Sequence, residues 1–363
     1  MMPLISANGN GKRRRCEACG NREYRVVLDK LSHEFIRNGR RENWHYKLLE
    51  CRNCGLGLVD PKPSWQLIQT LYDETYGSFD DSGLANAHYA NSLKFRLARM
   101  RGARFGARGL AALTKAGLAC FAEWATGKTI SYTLSIPLQL DRSSYIFDVG
   151  YGSGNWLLAL SEMGYRNLYG YDIAANRFNA SRLSAAGIAV SSGVFVNNDY
   201  PAASFDCIRM DHVFEHLPNP VEVLNKCVNM LKPGGFLVMS FPCKDSWSFR
   251  LSMKESPALQ VPKHLFHHTA QSARAMLEGA GFTPLRITAY SVSSQLAGTV
   301  NSLLGKRNQK AIPRLLFEML SPLYRAFGRV SGKGDFLTLC AVKGSASDRR
   351  AAAAVASSVP EGA

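Results

Sequence analysis

The sequence lacks several features that would assign it to a simple class. No run of about 18 uninterrupted apolar residues occurs, which argues against a membrane-spanning helix. The first residues, MMPLISANGNGKRRR, place no apolar segment ahead of their basic cluster, so we expect no signal peptide. No repeat is visible at the periods of roughly 20 to 50 residues that are typical of solenoids and propellers. The sequence therefore predicts an ordinary globular protein without a membrane span.

Acidic residues are also scarce. Asp and Glu total 28 against 44 Lys and Arg, which gives a formal net charge of +16. Such a charge favours an anionic partner, such as nucleic acid, a phosphorylated substrate or an acidic membrane surface, without choosing among them. Between Lys94 and Arg108 there is no acid, and helical spacing would place Lys94, Arg101, Arg104 and Arg108 on one face. That face would meet a diphosphate or RNA phosphates, or it would simply be solvated.

The nine cysteines do not suggest a disulfide framework, because their number is odd and no secretion signal precedes them. Four of them form two pairs, Cys16/Cys19 and Cys51/Cys54, each with two residues between its members and a glycine after them. Four thiolates in this pattern can close a tetrahedral site that suits structural Zn²⁺ better than iron. Since strand-like segments separate the pairs, we predict a zinc ribbon in a reducing cytoplasm.

A second motif begins at Tyr145 and reads YIFDVGYGSGN. An apolar strand runs into Asp148 and then into alternating glycines, which let a backbone at the carboxyl end of a strand approach a bound ligand closely. The next strand-like segment, LYGYD, ends at Asp172, about 20 residues after the glycines. In a doubly wound sheet this is where an acid holds ribose hydroxyls.

Two later segments complete the pattern, SFDCIRMDHVFEHLPNP from Ser204 and LKPGGFLVMSFP from Leu231. With DVGYGSG at Asp148 and YD at Tyr171, they resemble in type and order the motifs of class I S-adenosylmethionine-dependent methyltransferases. The cysteine block and the GLGLVDPKPS after it resemble the zinc-binding leader of methyltransferases in sugar, polysaccharide and natural-product pathways.

The resemblance implies an α/β fold with a doubly wound, Rossmann-like sheet of seven strands, the last of them antiparallel. It also implies S-adenosylmethionine as cofactor, with the methionine part held by Asp148 and the glycine loop, and the ribose held by Asp172. The acid that often contacts the adenine falls near Val194 here, so we expect backbone groups or Asp199 to hold that ring. The predicted donor-binding residues are Asp148, Gly150, Tyr151, Gly152, Gly154, Asn155, Asp172, Ile173, Asp211 and His212.

The chain divides into segments of different composition. We predict a flexible basic arm at 1–14, a zinc ribbon at 15–60, a helical linker or lid at 61–140, a methyltransferase domain at 141–343 with a helical insertion at 291–330, and a disordered Ala/Ser-rich tail at 344–363. Within the insertion, 314–327 is amphipathic. This pattern favours a helix that covers the core or forms a lid, rather than a helix that anchors the chain to a membrane.

If the acceptor bears a proton, a base must remove it, and a histidine is the natural choice near neutral pH. Resemblance to sugar C-methyltransferases places His264 at the position of the base, although Lys263 replaces the usual preceding acid. The alternative is that His264 packs against the following helix. His216 is the second candidate, with ordering of its loop as the alternative. For His267 and His268, at the entry to that helix, we expect at least one ring in solvent.

The sequence thus predicts a cytoplasmic methyltransferase of a small or carrier-linked, anionic metabolite, with a nucleotide sugar or glycan precursor as the first choice. An RNA methyltransferase with a zinc ribbon is the alternative enzyme, and it is the weaker one because the cysteine pairs of that group lie closer together. A catalytically silent binding protein on the same fold is the non-enzymatic alternative. The intact acid-glycine loop argues against it. The acceptor atom and the oligomeric state stay open.

Overall fold

A computed structural model describes residues 14–37, 40–64, 67–68, 140–173, 177–304 and 314–344. The basic run of 94–108, most of the predicted linker and most of the predicted arm and tail lie outside these residues. Among the residues that are described, no helix combines the length and the apolarity needed to cross a bilayer.

Strands dominate the first part of the chain and alternate with helices after residue 144. The strands are β1 (Tyr24–Arg37), β2 (Arg40–Cys51), β3 (Gly57–Asp60), β4 (Tyr145–Val149), β5 (Asn167–Asp172), β6 (Ala189–Ser192), β7 (Phe205–Asp211), β8 (Leu231–Pro242), β9 (Phe266–His267), β10 (Phe282–Tyr290) and β11 (Phe336–Lys343). The helices are α1 (Asn155–Glu162), α2 (Arg177–Ala185), α3 (Pro220–Met230), α4 (Trp247–Ser252), α5 (Ala270–Gly279), α6 (Ser293–Leu304) and α7 (Arg314–Ser331).

The larger sheet has seven strands in the order β10-β11-β8-β7-β4-β5-β6. β4 pairs in parallel with β5 and β7, and β5 with β6, while β10 and β11 pair antiparallel. Helices between successive parallel strands are what such a sheet requires, because a parallel connection must cross back over it. The predicted doubly wound α/β sheet with an antiparallel last strand is therefore confirmed.

One compact unit comprises 72–210 and 230–238 and contains β4, β5 and β6. Its core holds an aromatic cluster around Phe147, whose ring lies 4.7 Å from Phe205 and 4.9 Å from Tyr200. Gly170 in β5 leaves room for the buried Tyr151, since a Cβ at Gly170 would lie 2.8 Å from the Tyr151 ring. The glycine in the motif YGYD thus serves packing beneath the glycine loop.

The other unit comprises 1–71, 211–229 and 239–363 and contains a four-stranded sheet in the order β1-β2-β3-β9. β1 and β2 form an antiparallel hairpin, and β3 pairs with β9 through Leu58 opposite Phe266. Leu31, Tyr46, Leu48 and other buried side chains form the core under this sheet. The short strand β9 therefore joins a distant part of the sequence to the cysteine-bearing block.

The helix predicted near residue 314 is present as α7. One side of it packs inward, where Tyr324 donates a 2.5 Å hydrogen bond to Asp335 and Gly328 lies against Ser291. The opposite side leaves apolar side chains in solvent, including Leu323 and Val330. The inward side of α7 therefore behaves as a core-covering helix would, whereas its opposite side does not.

Candidate functional site

The glycine loop after β4 adopts backbone angles that favour glycine. Gly150, Gly152 and Gly154 have φ angles of 72°, 51° and 72°, in the left-handed region where a side chain is strained. The Gly150 N–H donates a 2.6 Å hydrogen bond to the Tyr171 carbonyl, which ties the loop to β5. The alternating glycines therefore set a backbone path with little side-chain bulk at a strand end.

Asp172 closes β5 beside this loop. Its carboxylate is buried, and Oδ2 accepts a 2.9 Å hydrogen bond from the Gly152 N–H. A carboxylate offers about four acceptor sites, so one carboxylate can accept hydrogen bonds from a backbone N–H and from hydroxyl groups together. The structure thus brings together Asp172 and the glycine loop, while Ile173 follows as a half-buried neighbour.

Helix α2 supports the same loop through two residues that the sequence did not reveal. Asn179 Nδ2 donates to the Gly152 carbonyl at 3.4 Å, and Arg182 donates to the Ser153 carbonyl. Arg182 also donates to Asn155 Oδ1 at 3.1 Å, so the predicted Asn155 is held from α2. Both donors lie on a polar helix, whose composition gave no signal of this role.

Asp148 is engaged by a protein cation. Arg209 lies directly opposite it in the β4/β7 register, and its Nη1 donates to Asp148 Oδ1 at 2.8 Å. Both side chains are buried, and the guanidinium lies 4.3 Å from the centroid of the Trp156 ring. The role of Asp148 toward the donor therefore stays a prediction. Sequence analysis missed Arg209, although a lone cation in the strand FDCIRMD was the available signal.

Asp211 and His212 stand at the end of β7. Asp211 is half-buried, and His212 has a φ of 56° with its N–H bonded to the Ser240 carbonyl. The His212 ring lies 5.0 Å from Phe336, and its Nδ1 lies 3.5 Å from Glu215 Oε1. The structure thus places His212 beside a buried acid that sequence analysis did not single out.

That acid, Glu215, belongs to a cluster with His216 and His264. Its side chain is 1% exposed, and neither oxygen has a hydrogen-bond donor in good geometry among the described residues. His216 Nε2 lies 3.9 Å from Glu215 Oε1, and the His216 and His264 rings meet edge to face at 4.7 Å. The two predicted catalytic histidines are therefore brought together around a carboxylate.

The cluster combines an ionised acid with neutral imidazoles. Burial raises the pKa of Glu215, but the neighbouring His212, His216 and His264 outweigh burial and lower the pKa to about 2. Burial, with the neighbouring His216, lowers the pKa of His264 to about 4. Burial likewise lowers the pKa of His216. At neutral pH the cluster thus holds a negative charge between uncharged rings.

The expectation of a solvated ring at His267 or His268 is wrong. His267 is 4% exposed and His268 is fully buried. Pairing of β9 with β3 draws this segment inward, and the His268 ring packs 4.5 Å from Phe241 and 5.3 Å from Phe214. Polarity alone suggested solvent, whereas a long-range strand pairing decided the burial.

The four paired cysteines converge on one point. Cys16 and Cys54 sulfurs lie 3.6 Å apart, as do those of Cys19 and Cys51, and all four lie within 4.8 Å of one another. A tetrahedron with Zn–S bonds of about 2.3 Å has edges of about 3.8 Å, so the spacing fits zinc. Each pair is followed by a glycine of positive φ, Gly20 at 74° and Gly55 at 73°. The geometry suits a closed site, and zinc there remains a proposal.

The cysteine block also supports the histidine segment. Thr269 Oγ1 donates to the Cys54 carbonyl at 2.8 Å, while the Thr269 side chain caps helix α5. The Val59 N–H donates to the Leu265 carbonyl at 3.1 Å, and the Leu265 N–H donates to the Glu215 carbonyl at 2.9 Å. Hydrogen bonds thus join the cysteine block to the start of α5 through Thr269, and join β3 to the backbone of Glu215 through Leu265.

Comparison with known proteins gives a family match, two curated relatives and a solved structure. Residues 121–287 match a family described as a methyltransferase domain. The chain is 29% identical over 104 residues to the ubiquinone biosynthesis O-methyltransferase of Shewanella halifaxensis, covering 26% of this chain and 42% of the relative. It is 28% identical over 130 residues to the protein of that name from Xanthomonas axonopodis pv. citri, covering 34% and 54%.

Among solved structures, a 1,6-didemethyltoxoflavin-N1-methyltransferase from Burkholderia thailandensis aligns with a TM-score of 0.43 at 14% identity. The alignment covers 86% of this chain and 99% of that one. The matched part of the chain spans 42% to 54% of the length of the two curated relatives. Residues 121–287 thus match a methyltransferase domain, and the seven-stranded sheet with its antiparallel last strand agrees with the predicted methyltransferase fold.

Proposed function

We propose that the chain transfers a methyl group from S-adenosylmethionine to a small or carrier-linked acceptor. The observation that carries this proposal is the pairing of Asp172 with the glycine loop through the Gly152 N–H. A carboxylate at the end of a strand can accept hydrogen bonds from the ribose of the donor. Glycines of positive φ beside it let the backbone approach the methionine part. When bound, the donor supplies an electrophilic methyl group on a sulfonium.

The remaining donor residues are proposed with distinct tasks. Asp172 would accept the ribose hydroxyls, and Gly150, Gly152 and Gly154 would let the backbone approach the methionine part. Because Arg209 already neutralises Asp148, we propose that Asp148 acts on the donor site by fixing the end of β4 rather than by pairing with the donor alone. The adenine would be held by backbone groups near 194 or by Asp199, as the sequence suggests.

For the acceptor, the net charge of +16 supports an anionic compound. A nucleotide sugar or glycan precursor remains our first choice, and the similarity to ubiquinone O-methyltransferases adds a hydroxylated ring as a second chemical class. We retain His264 and His216 as candidate bases for the case in which their Nε2 atoms bind no metal ion. Since the pKa of His264 is about 4, a base at this position would keep its activity well below pH 6.5.

Donor binding to the purified full chain tests the proposal. Calorimetry with S-adenosylmethionine should show saturable binding, and Asp172→Ala should weaken it by about 1 to 3 kcal/mol, the cost of losing charge-assisted hydrogen bonds. Asp141→Ala is the matched control, because Asp141 is an exposed acid whose carboxylate accepts hydrogen bonds from the neighbouring Ser143. Unchanged affinity in Asp172→Ala would remove this residue from the donor site.

A further inference from the structure

The cluster of Glu215, His216 and His264 places three potential metal-ligand atoms close together, and donor binding does not require this arrangement. We propose that Glu215, His216 and His264 form a divalent metal site separate from the four cysteines. Each residue offers one ligand atom, and these three atoms lie within 4.8 Å of one another. Glu215 and His264 are 1% and 4% exposed, and the His216 side chain is 11% exposed.

Backbone contacts set both rings in the form that binds metals. His216 Nδ1 lies 3.0 Å from the Lys263 carbonyl, and His264 Nδ1 lies 2.8 Å from the Ala258 carbonyl. A carbonyl can only accept, so each Nδ1 carries the proton and each Nε2 carries the lone pair. Metal-binding histidines are oriented in this way by a carbonyl or carboxylate on the other ring nitrogen.

The carboxylate supplies the charge that a cation would balance. Both oxygens of Glu215 are buried without a hydrogen-bond donor in good geometry among the described residues. Two imidazoles lie close to it, with His212 Nδ1 at 3.5 Å and His216 Nε2 at 3.9 Å from Oε1. A buried carboxylate normally has hydrogen-bond donors, a paired charge or a metal ion.

The ligand set indicates the class of ion. Two imidazole nitrogens and one carboxylate oxygen suit zinc and other first-row divalent metals, whereas magnesium and calcium prefer oxygen ligands alone. Tetrahedral zinc with bonds of about 2.0 to 2.1 Å needs ligand atoms about 3.4 Å apart. The distance of 3.9 Å between His216 and Glu215 is close to that value, so small side-chain rotations would complete the site.

An ion here would join two separate segments. Glu215 and His216 lie in the turn after β7, and His264 lies before β9. The Leu265 N–H already bonds to the Glu215 carbonyl at 2.9 Å, so the ion would reinforce an existing contact. This use of His264 excludes its use as a base, because the single Nε2 lone pair either takes a proton or binds the ion.

Metal content of the full chain tests the proposal without any methyl transfer. After saturation with Zn²⁺ and exhaustive dialysis, elemental analysis should find about two zinc ions per chain, one for each site. Glu215→Gln should reduce this to about one. Glu222→Gln, on the exposed side of α3, is the matched control and should keep both ions.

If Glu215→Gln fails to fold, titration of the wild-type chain with Co²⁺ tests the proposal without that variant. In the wild-type chain the first Co²⁺ should produce strong thiolate charge-transfer absorption from the cysteine site. A second ion should add only weak visible bands from nitrogen and oxygen ligands. A wild-type chain that binds a single ion, with thiolate absorption alone, would overturn the proposal. Retention of both ions by Glu215→Gln would also overturn it.

Discussion

At the scale of single residues, the proposed donor site is built from side chains that fix backbone positions. Asp172 and Asn179 each bond to Gly152, one through its N–H and the other through its carbonyl. Arg209 holds Asp148 in the adjacent strands. The geometry of the loop thus depends on partners from β5, α2 and β7, and only the β5 partner is visible as a motif.

The buried pair between Asp148 and Arg209 gives a stability prediction. Arg209→Leu leaves a desolvated carboxylate without its cation, and we expect a loss of about 3 to 5 kcal/mol in the free energy of unfolding. Lys232→Met is the control, because the Lys232–Asp206 pair is much more exposed and should cost less than about 1 kcal/mol. Urea denaturation measures both, and equal losses would show that the buried pair contributes no more than the exposed one.

His268 gives a prediction for the pH dependence of stability. Burial lowers its pKa from 6.5 to about 4. Between these values the unfolded chain binds a proton that the folded chain does not, so stability falls as the pH falls from about 6.5 toward 4. The full contribution is about 3 kcal/mol, from about 2.5 pKa units.

His268→Phe removes this titration and also removes two buried ring nitrogens that find no hydrogen-bond partner within the described part of the chain. We therefore expect an unfolding free energy that is equal or higher at pH 7 and that falls less steeply below pH 6.5 than in the wild type. Denaturation at a series of pH values measures this slope. An unchanged slope in His268→Phe would assign the acid sensitivity to other groups.

At the scale of elements, the cysteine block and β9 act together. β3 pairs with β9, and Thr269 bonds to the carbonyl of Cys54. If zinc holds the four thiolates, its loss should loosen these contacts as well as the knuckle itself. The metal would then stabilise a segment that contains His264, His267 and His268.

Replacement of two ligands tests this coupling. Cys16→Ser together with Cys54→Ser should abolish zinc binding at the thiolates and unfold the cysteine block, since such sites rarely fold without metal. Hydrogen exchange should then increase at 57–60 and also at 266–267. Cys340→Ser is the control, because Cys340 lies in β11 outside the thiol cluster. Unchanged exchange at 266–267 in the double variant would contradict the coupling.

The sequence predicts features that depend on neighbouring residues, and it does not predict features that depend on contacts between distant segments. The glycine loop, Asp172 and the cysteine pairs have fixed spacings that report backbone geometry directly. The Asp148–Arg209 pair depends on the register of two strands, and the cluster of Glu215 with His264 depends on contacts between distant segments. The same applies to His267, whose burial follows from β3 and β9 pairing. Pairings of this kind leave no local pattern.

At the scale of the whole molecule, the chain combines a segment that matches a methyltransferase domain with a block of four converging thiols and an excess of positive charge. The charge should act mainly on encounter with an anionic acceptor, and salt should therefore slow the reaction by screening. The alternative acceptor, RNA, relied on the basic run of 94–108, which lies outside the described residues. No described feature adds support to it.

The most direct test of the account is transfer of label from methyl-labelled S-adenosylmethionine to a fractionated pool of small metabolites and to RNA. The account predicts label in a small or carrier-linked, anionic compound with the wild-type chain, and much less with Asp172→Ala. No label in either pool, together with no binding of the donor, would contradict it and favour a silent binding protein. Label in RNA alone would contradict the proposed class of acceptor.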